Sequence, residues 1–156
     1  MPTPDFVLAL REKIGSDLLW MPGVSGVVLD DHNRVLLTQR RDNGQWAVVS
    51  GILEPGEQPG LAILREIAEE TGVVAVLERL VSVLAEPPKV LPNGDQCQFL
   101  DLTFSCRYAS GEAGVADDEN LDVRWFDLGA MPVMDPNDQA RVRRAVEPSA
   151  QPYLDT

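Results

Sequence analysis

Glu66, Glu69 and Glu70 stand three and four residues apart in a stretch that reads as a helix from about Gly60 to Thr71, stopping at Gly72. On a helix turning about 100° per residue, with Leu61 at zero, Glu69 falls near 80°, Glu66 near 140° and Glu70 near 180°. Three carboxylates therefore crowd one face. Like charges at such spacings weaken an isolated helix by roughly a few tenths of a kcal/mol per pair, so something cationic should compensate. Arg65 adjoins only the Glu69 side of the set, whereas oxygen ligands in this number are what Mg²⁺ or Mn²⁺ prefers. A solvated acidic face is the alternative that the helix alone leaves open. Leu61, Ile63, Leu64, Ile67 and Ala68 occupy the remaining half, from about 200° to 360°, which predicts that half as the core side and turns the acids outward or into a cleft.

The surrounding residues, GILEPGEQPGLAILREIAEETGV, follow the spacing G-x5-E-x7-R-E-U-x-E-E-x-G-U with U aliphatic, satisfied by Gly51, Glu57, Arg65, Glu66, Ile67, Glu69, Glu70, Gly72 and Val73. At average residue frequencies such a match arises by chance at one start point on the order of once in a billion. This stretch resembles the catalytic box of the Nudix (MutT-like) hydrolases. The box covers 23 of 156 residues, and the order of strands and helices around it is also that of the Nudix fold. The resemblance implies an α/β (α+β) architecture, an α/β/α sandwich around a mixed β-sheet. It implies a loop, a helix and a second loop in which Glu66, Glu69 and Glu70 hold Mg²⁺, with Mn²⁺ a possible substitute, against a pyrophosphate. It pairs Glu57 with Arg65, makes Glu66 the general base in some members, and gives that role in others to a Glu from a distant loop. Glu119, six residues before Trp125 in the acidic loop Asp117-Asp118-Glu119, stands where such a Glu is expected; a merely solvated acidic loop is the competing reading. Independently of the name, a divalent ion neutralises charge developing on phosphate oxygens and makes water a usable nucleophile, and a carboxylate can complete the proton transfer.

Ser50 stands just before the box where many relatives carry Gly. The carbonyls of Ser50 and Gly51 remain available to a metal, although Ser narrows the allowed backbone angles. Arg40 and Arg41, at a strand end near Trp46, are candidates for contact with a pyrophosphate, with a solvated strand-end charge as the alternative. Trp20 and Trp46 are either base platforms or packing, and His32 reads as a bystander in a turn. Pro88, fifteen residues after Val73, is similar to the proline found downstream of the box in ADP-ribose pyrophosphatases, although Pro87-Pro88 would equally end a strand. The expected substrate is thus a nucleoside diphosphate linked to another moiety, ADP-ribose-like by preference. A MutT-type nucleoside triphosphate pyrophosphohydrolase is the enzymatic alternative, and a non-catalytic Nudix nucleotide-binding or regulatory module the alternative of another class.

The elements that must position these groups follow from pattern. Thr3-Pro4-Asp5 opens a helix over 4–15; Val24 to Leu29 and Arg34 to Arg40 flank a polar turn as a hairpin; Trp46 to Val49 leads into the box. Val73 to Ala85, Gln98 to Arg107 and Val123 to Phe126 read as strands, a helix spans about 135–147, and 148–156 reads as a loose tail. A chain of 156 residues without internal repeats suits one domain over 1–156. No apolar run approaches the ~20 residues of a membrane span, and the segment Met1 to Ile14 lacks the layout of a secretory signal, so a cytoplasmic location is expected. Cys97 and Cys106, nine apart, point to opposite faces if one strand carries both, which suits reduced thiols. With 25 Asp plus Glu against 13 Lys plus Arg and a net charge of −12, the chain repels a phosphate backbone, which disfavours nucleic acid as a partner. A small nucleotide bridged by cations is compatible with that charge, and a homodimer through the N-terminal helix is possible.

Overall fold

The computed structural model describes residues 3–156. Met1 and Pro2, the first residues of the segment read above for a secretory signal, lie outside the described residues. In chain order the elements are α1 (Asp5–Ile14), β1 (Leu19–Leu29), β2 (Arg34–Arg40), β3 (Trp46–Ala47), β4 (Val49–Ile52), α2 (Pro59–Thr71), β5 (Val74–Ala85), β6 (Lys89–Val90), β7 (Gln96–Ser110), β8 (Asn120–Asp127) and α3 (Pro136–Val146), with a short 3₁₀ turn before α3. Thus the third apolar stretch is two strands, β3 and β4, and β1 begins five residues before the expected hairpin arm. Asp135 caps α3 by accepting from Asn137 N at 2.8 Å.

The strands form a mixed sheet, in which β1 runs parallel to β7 from Leu19↔Cys97 to Leu29↔Arg107 and the other pairings are antiparallel. Period-two alternation sorts the side chains onto two faces. On one, Val24, Val28, Phe104 and Cys106 pack against Ala62, Ile63 and Ile67 of α2. On the other, Val27, Val35 and Val81 pack against Val142 and Ala145 of α3, and Met21 and Cys97 against Val7 of α1. Helices thus cover both faces, giving an α/β/α sandwich. Cys97 and Cys106, both in β7, are free and buried on opposite faces; burial pushes the Cys106 thiol up to about 12. Among the described residues, no helix is long and apolar enough to cross a membrane.

One feature of this frame bears on the site. The far edge of β1 is shared, since β2 meets it at Leu29↔Val35 while β4 takes Gly23 to Gly26; this fork brings Ser50 and Gly51 to the middle of the sheet. The C-terminal segment also differs from the expected loose tail: Tyr153 N donates to Val81 O at 2.8 Å, Val83 N to Tyr153 O at 3.3 Å, and the Arg144 guanidinium lies 3.9 Å from the Tyr153 ring centroid. The tail is held because β5 is an edge strand whose backbone groups need partners.

Candidate functional site

α2 is rotated relative to the expected amphipathic reading. Ala62, Ile63, Glu66, Ile67 and Glu70 are its buried stripe, while Leu61 is 65% exposed and Ala68 is exposed. The stripe is centred near 170° on the wheel described above, so two of the three carboxylates ride in the middle of the inward face. Gly72, left-handed at φ 70°, ends the helix with its N–H bonded to Ala68 O.

Glu66 is 1% exposed and lies against Gly51. A Cβ at residue 51 would stand 2.5 Å from Glu66 Oε1, closer than atoms can approach, so the glycine of the box is required by a carboxylate fifteen residues away in sequence but adjacent in space. Arg65 reaches further than expected. Its Nε and Nη2 donate to Glu57 Oε1 and Oε2 at 2.8 and 3.1 Å, and its Nη1 donates to Glu66 Oε1 and Glu69 Oε2, both at 3.0 Å. The expectation that it serves only the Glu69 side is corrected: one guanidinium ties the loop before the helix to two acids on it. Arg65 holds the Glu57 carboxyl below the usual range, and burial pushes Glu66 up against the opposing pull of Arg65. The Glu69 side chain is 58% exposed.

Glu70 faces the other way, toward the loop before β8. It is 7% exposed, and burial pushes it up to about 7, opposed by a hydrogen bond from Asn120 and reinforced by the charges of Glu66 and Asp117. Asn120 Nδ2 donates to Glu70 Oε2 at 3.1 Å and to Asp117 Oδ1 at 3.3 Å. One carboxylate oxygen each from Glu70, Asp117 and Glu119 lie within 4.8 Å of one another. That spacing is one that a single ion with metal–oxygen contacts of roughly 2.1–2.5 Å can bridge, and an all-oxygen donor set is the one that hard divalent cations take. The residues present therefore fit a divalent cation. Three carboxylates this close, two from a loop and one buried on a helix, repel one another without positive charge between them.

The loop is tied down by backbone as well as side chains. Gly114 N and Ala116 N donate to Thr71 O and Glu70 O at 3.0 and 3.2 Å. Arg41 donates from its backbone N to Glu119 O at 2.8 Å and from Nε to Asp118 O at 2.7 Å. Arg41 thus holds the loop, and Arg40 forms a two-pronged pair with Asp42 at 3.0 and 2.8 Å. Both arginines, Trp46, Ser50, Gly51, Glu70 and Glu119 line one cleft of about 890 Å³. Trp46 packs edge-on against Phe126, with ring centroids 4.8 Å apart. Trp20 is half exposed, and His32 lies in an exposed turn where its backbone N–H bonds Asp30.

Of the residues singled out from sequence, Glu57, Arg65, Glu66 and Glu69 form one connected group, while Glu70 and Glu119 meet in another. Asn120, which joins Glu70 to Asp117, was not anticipated; an Asn closing an acidic run at a strand start offers only a faint signal.

A NUDIX domain profile matches residues 19–147. The chain is 32% identical over 112 residues to an ADP-ribose pyrophosphatase of Methanocaldococcus jannaschii, covering 70% of this chain and 63% of that protein. It is 31% identical over 103 residues to a MutT-like protein of Streptomyces ambofaciens, covering 66% of this chain and 61% of that protein. The matched stretch thus spans about three fifths of the length of these two relatives. Among solved structures, the NUDIX domain of Shewanella oneidensis NrtR, complexed with ADP ribose, superposes with a TM-score of 0.65 at 19% identity over 92% of this chain and 97% of that one. With the profile running from β1 through α3, the chain belongs to the Nudix (MutT-like) hydrolase family.

Proposed function

We propose that the protein is a Mg²⁺-dependent pyrophosphohydrolase that cleaves the pyrophosphate linkage of a nucleoside diphosphate joined to another moiety, with ADP-ribose-like substrates preferred and Mn²⁺ able to substitute. The observation that carries this reading is the meeting of Glu70 with Asp117 and Glu119 at the cleft that Gly51 and Ser50 also line. Glu70, Asp117 and Glu119 would hold the ion, with Glu66, Glu69 and the Ser50 and Gly51 carbonyls as the further oxygen donors proposed for it. When bound, the ion neutralises charge developing on the phosphate oxygens and acidifies the attacking water. Glu119, on the loop, accepts the proton, with Glu66 the other base the family uses. Glu57 and Arg65 position: they hold the loop to α2 and fix Glu66. Pro88 and the similarity to an ADP-ribose pyrophosphatase support the substrate preference.

Two other readings keep an observation each. Similarity to a MutT-like protein supports a nucleoside triphosphate pyrophosphohydrolase, and a fold shared with a domain complexed with ADP ribose is compatible with a nucleotide-binding module. Turnover of ADP-ribose, nucleotide sugars, nucleoside triphosphates and dinucleotides with Mg²⁺ separates all three. Glu70→Gln is expected to lower turnover at saturating substrate at least ~10²-fold with the fold intact. A near-wild-type rate sinks the metal assignment; cleavage of triphosphates alone moves the substrate to the MutT type; tight binding without turnover across the panel leaves the module.

A further inference from the structure

The cleft extends beyond the acidic loop along the α3 face of the sheet, where Ser25, Glu86, Phe99, Asp101, Asp138 and Arg141 also line it. Its volume, about 890 Å³, is near the upper end of the roughly 300–1,000 Å³ usual for small-molecule sites, enough for more than a pyrophosphate. At this end the Arg141 guanidinium, 14% exposed, is shared among three carboxylates. Nη1 donates to Asp138 Oδ1 at 2.6 Å, Nε to Asp101 Oδ2 at 3.3 Å, and Nη2 to Glu86. Asp101 also accepts from Ser25 Oγ and Thr103 Oγ1, each at 2.7 Å.

The other cations lining this end are engaged too. Lys89 bonds Glu86 at 3.1 Å, and Arg11 donates to the carbonyls of Gly15, Asp17 and Gln96 and stands 3.5 Å from Asp95. Carboxylates therefore outnumber cations along this wall. Arg141 cannot turn to a phosphate without stranding buried carboxylates. A second anion placed here meets net negative charge at low dielectric, whereas hydroxyl and amino hydrogens meet acceptors. Phe99 supplies an apolar wall, its ring so close to β1 that a Cβ at Gly23 would stand 3.1 Å from it.

We infer that this end of the cleft takes an uncharged, hydroxyl- or amine-bearing group of the substrate and turns away one that carries a further anion, with Glu86, Asp101 and Asp138 setting that specificity. The inference rests on the pyrophosphohydrolase reading, because the same cleft reaches Glu70 and Glu119.

Matched substrates that differ by one anionic group test it: UDP-glucose against UDP-glucuronate, and ADP-ribose against its 2′-phosphate, so that either end of the molecule is probed. The anionic member of at least one pair is expected to lose about 10-fold or more in kcat/KM. Asp101→Asn and Glu86→Gln each remove one negative charge in nearly the same shape, and either is expected to shrink that ratio about 3-fold or more. Equal kcat/KM within both pairs overturns the inference, as does a ratio unmoved in the folded variants. Calorimetric binding of the same pairs with Ca²⁺ keeps the two readings apart. Selective binding without turnover in any divalent ion removes the pyrophosphohydrolase and leaves the charge selectivity; turnover without selectivity does the reverse.

Discussion

Two acidic clusters face the same cleft, one buried and one half-buried around a buried Glu70, and they are built on different terms. Around Arg141, three carboxylates share one guanidinium whose fork reaches each of them. Around Glu70, the described partner is the neutral amide of Asn120, and among the described residues no Arg or Lys bonds Glu70 or Asp117. Arg65, the nearest cation on α2, is occupied by Glu57, Glu66 and Glu69. The first cluster carries its own counter-charge and is part of the fold. The second is joined by a neutral amide, and its carboxylate oxygens lie within 4.8 Å of one another, a spacing that an external cation can bridge.

Removing the internal cation is the most severe way to break this contrast. Arg141→Ala strands Glu86, Asp101 and Asp138, so a loss of about 3–5 kcal/mol in folding stability is expected, a fall in Tm on the order of 10 °C. Mg²⁺ should not restore it, and a melting curve that Mg²⁺ does restore would erase the distinction between the clusters.

A smaller effect, of opposite sign, is expected at Glu70. Its folded value of about 7 lies above the ordinary 4.5, so the fold prefers the protonated acid. The cost is absent below pH 4.5, grows as pH rises toward 7, and is complete above it, amounting to at most about 3 kcal/mol. With chelator present, Glu70→Gln should therefore be more stable than the wild type at pH 8 and closer to it at pH 5, and a divalent cation should stabilise only the wild type. Thermal melts at the two pH values measure this; a Gln variant that is less stable at pH 8 contradicts it.

The smallest change concerns the wall behind Glu66. Gly51→Ala drives a methyl into the carboxylate, and about 1–2 kcal/mol of destabilisation is expected from overpacking. The accompanying loss of kcat should exceed any change in KM, since Glu66 moves rather than the cleft; an unaltered kcat shows that Glu66 has room to shift.

Much of this was legible in the sequence, and the parts that were not share a cause. The box announced the helix, its acids, the Glu57–Arg65 pair and the αL glycine, because those depend on local spacing. The orientation of α2 was misjudged because hydrophobicity puts Leu61 inside and carboxylates outside, and here the inward stripe carries Glu66 and Glu70. The Arg141 cluster joins residues from β5–β6, β7 and α3, so no local pattern reports it. Its one signal was Asp101, a lone acid in the apolar run Phe99-Leu100-Asp101-Leu102, where a charge must find a partner across the fold. The tail is a similar case, since within an exposed segment Tyr153 pairs with an edge strand about seventy residues earlier.

The parallel pairing of β1 with β7 sets the order in which this molecule can be made. Partners such as Leu19 and Cys97 lie nearly eighty residues apart, and non-local pairings of that kind form slowly. On the ribosome, β1 is followed by the box and α2, and it waits with an open edge for a strand not yet synthesised. The acidic loop emerges later still, delivered by the pairing of β8 on β2. A nascent chain therefore exposes a bare edge before it has a cation site to close, and that interval is where misassembly and chaperone capture would concentrate.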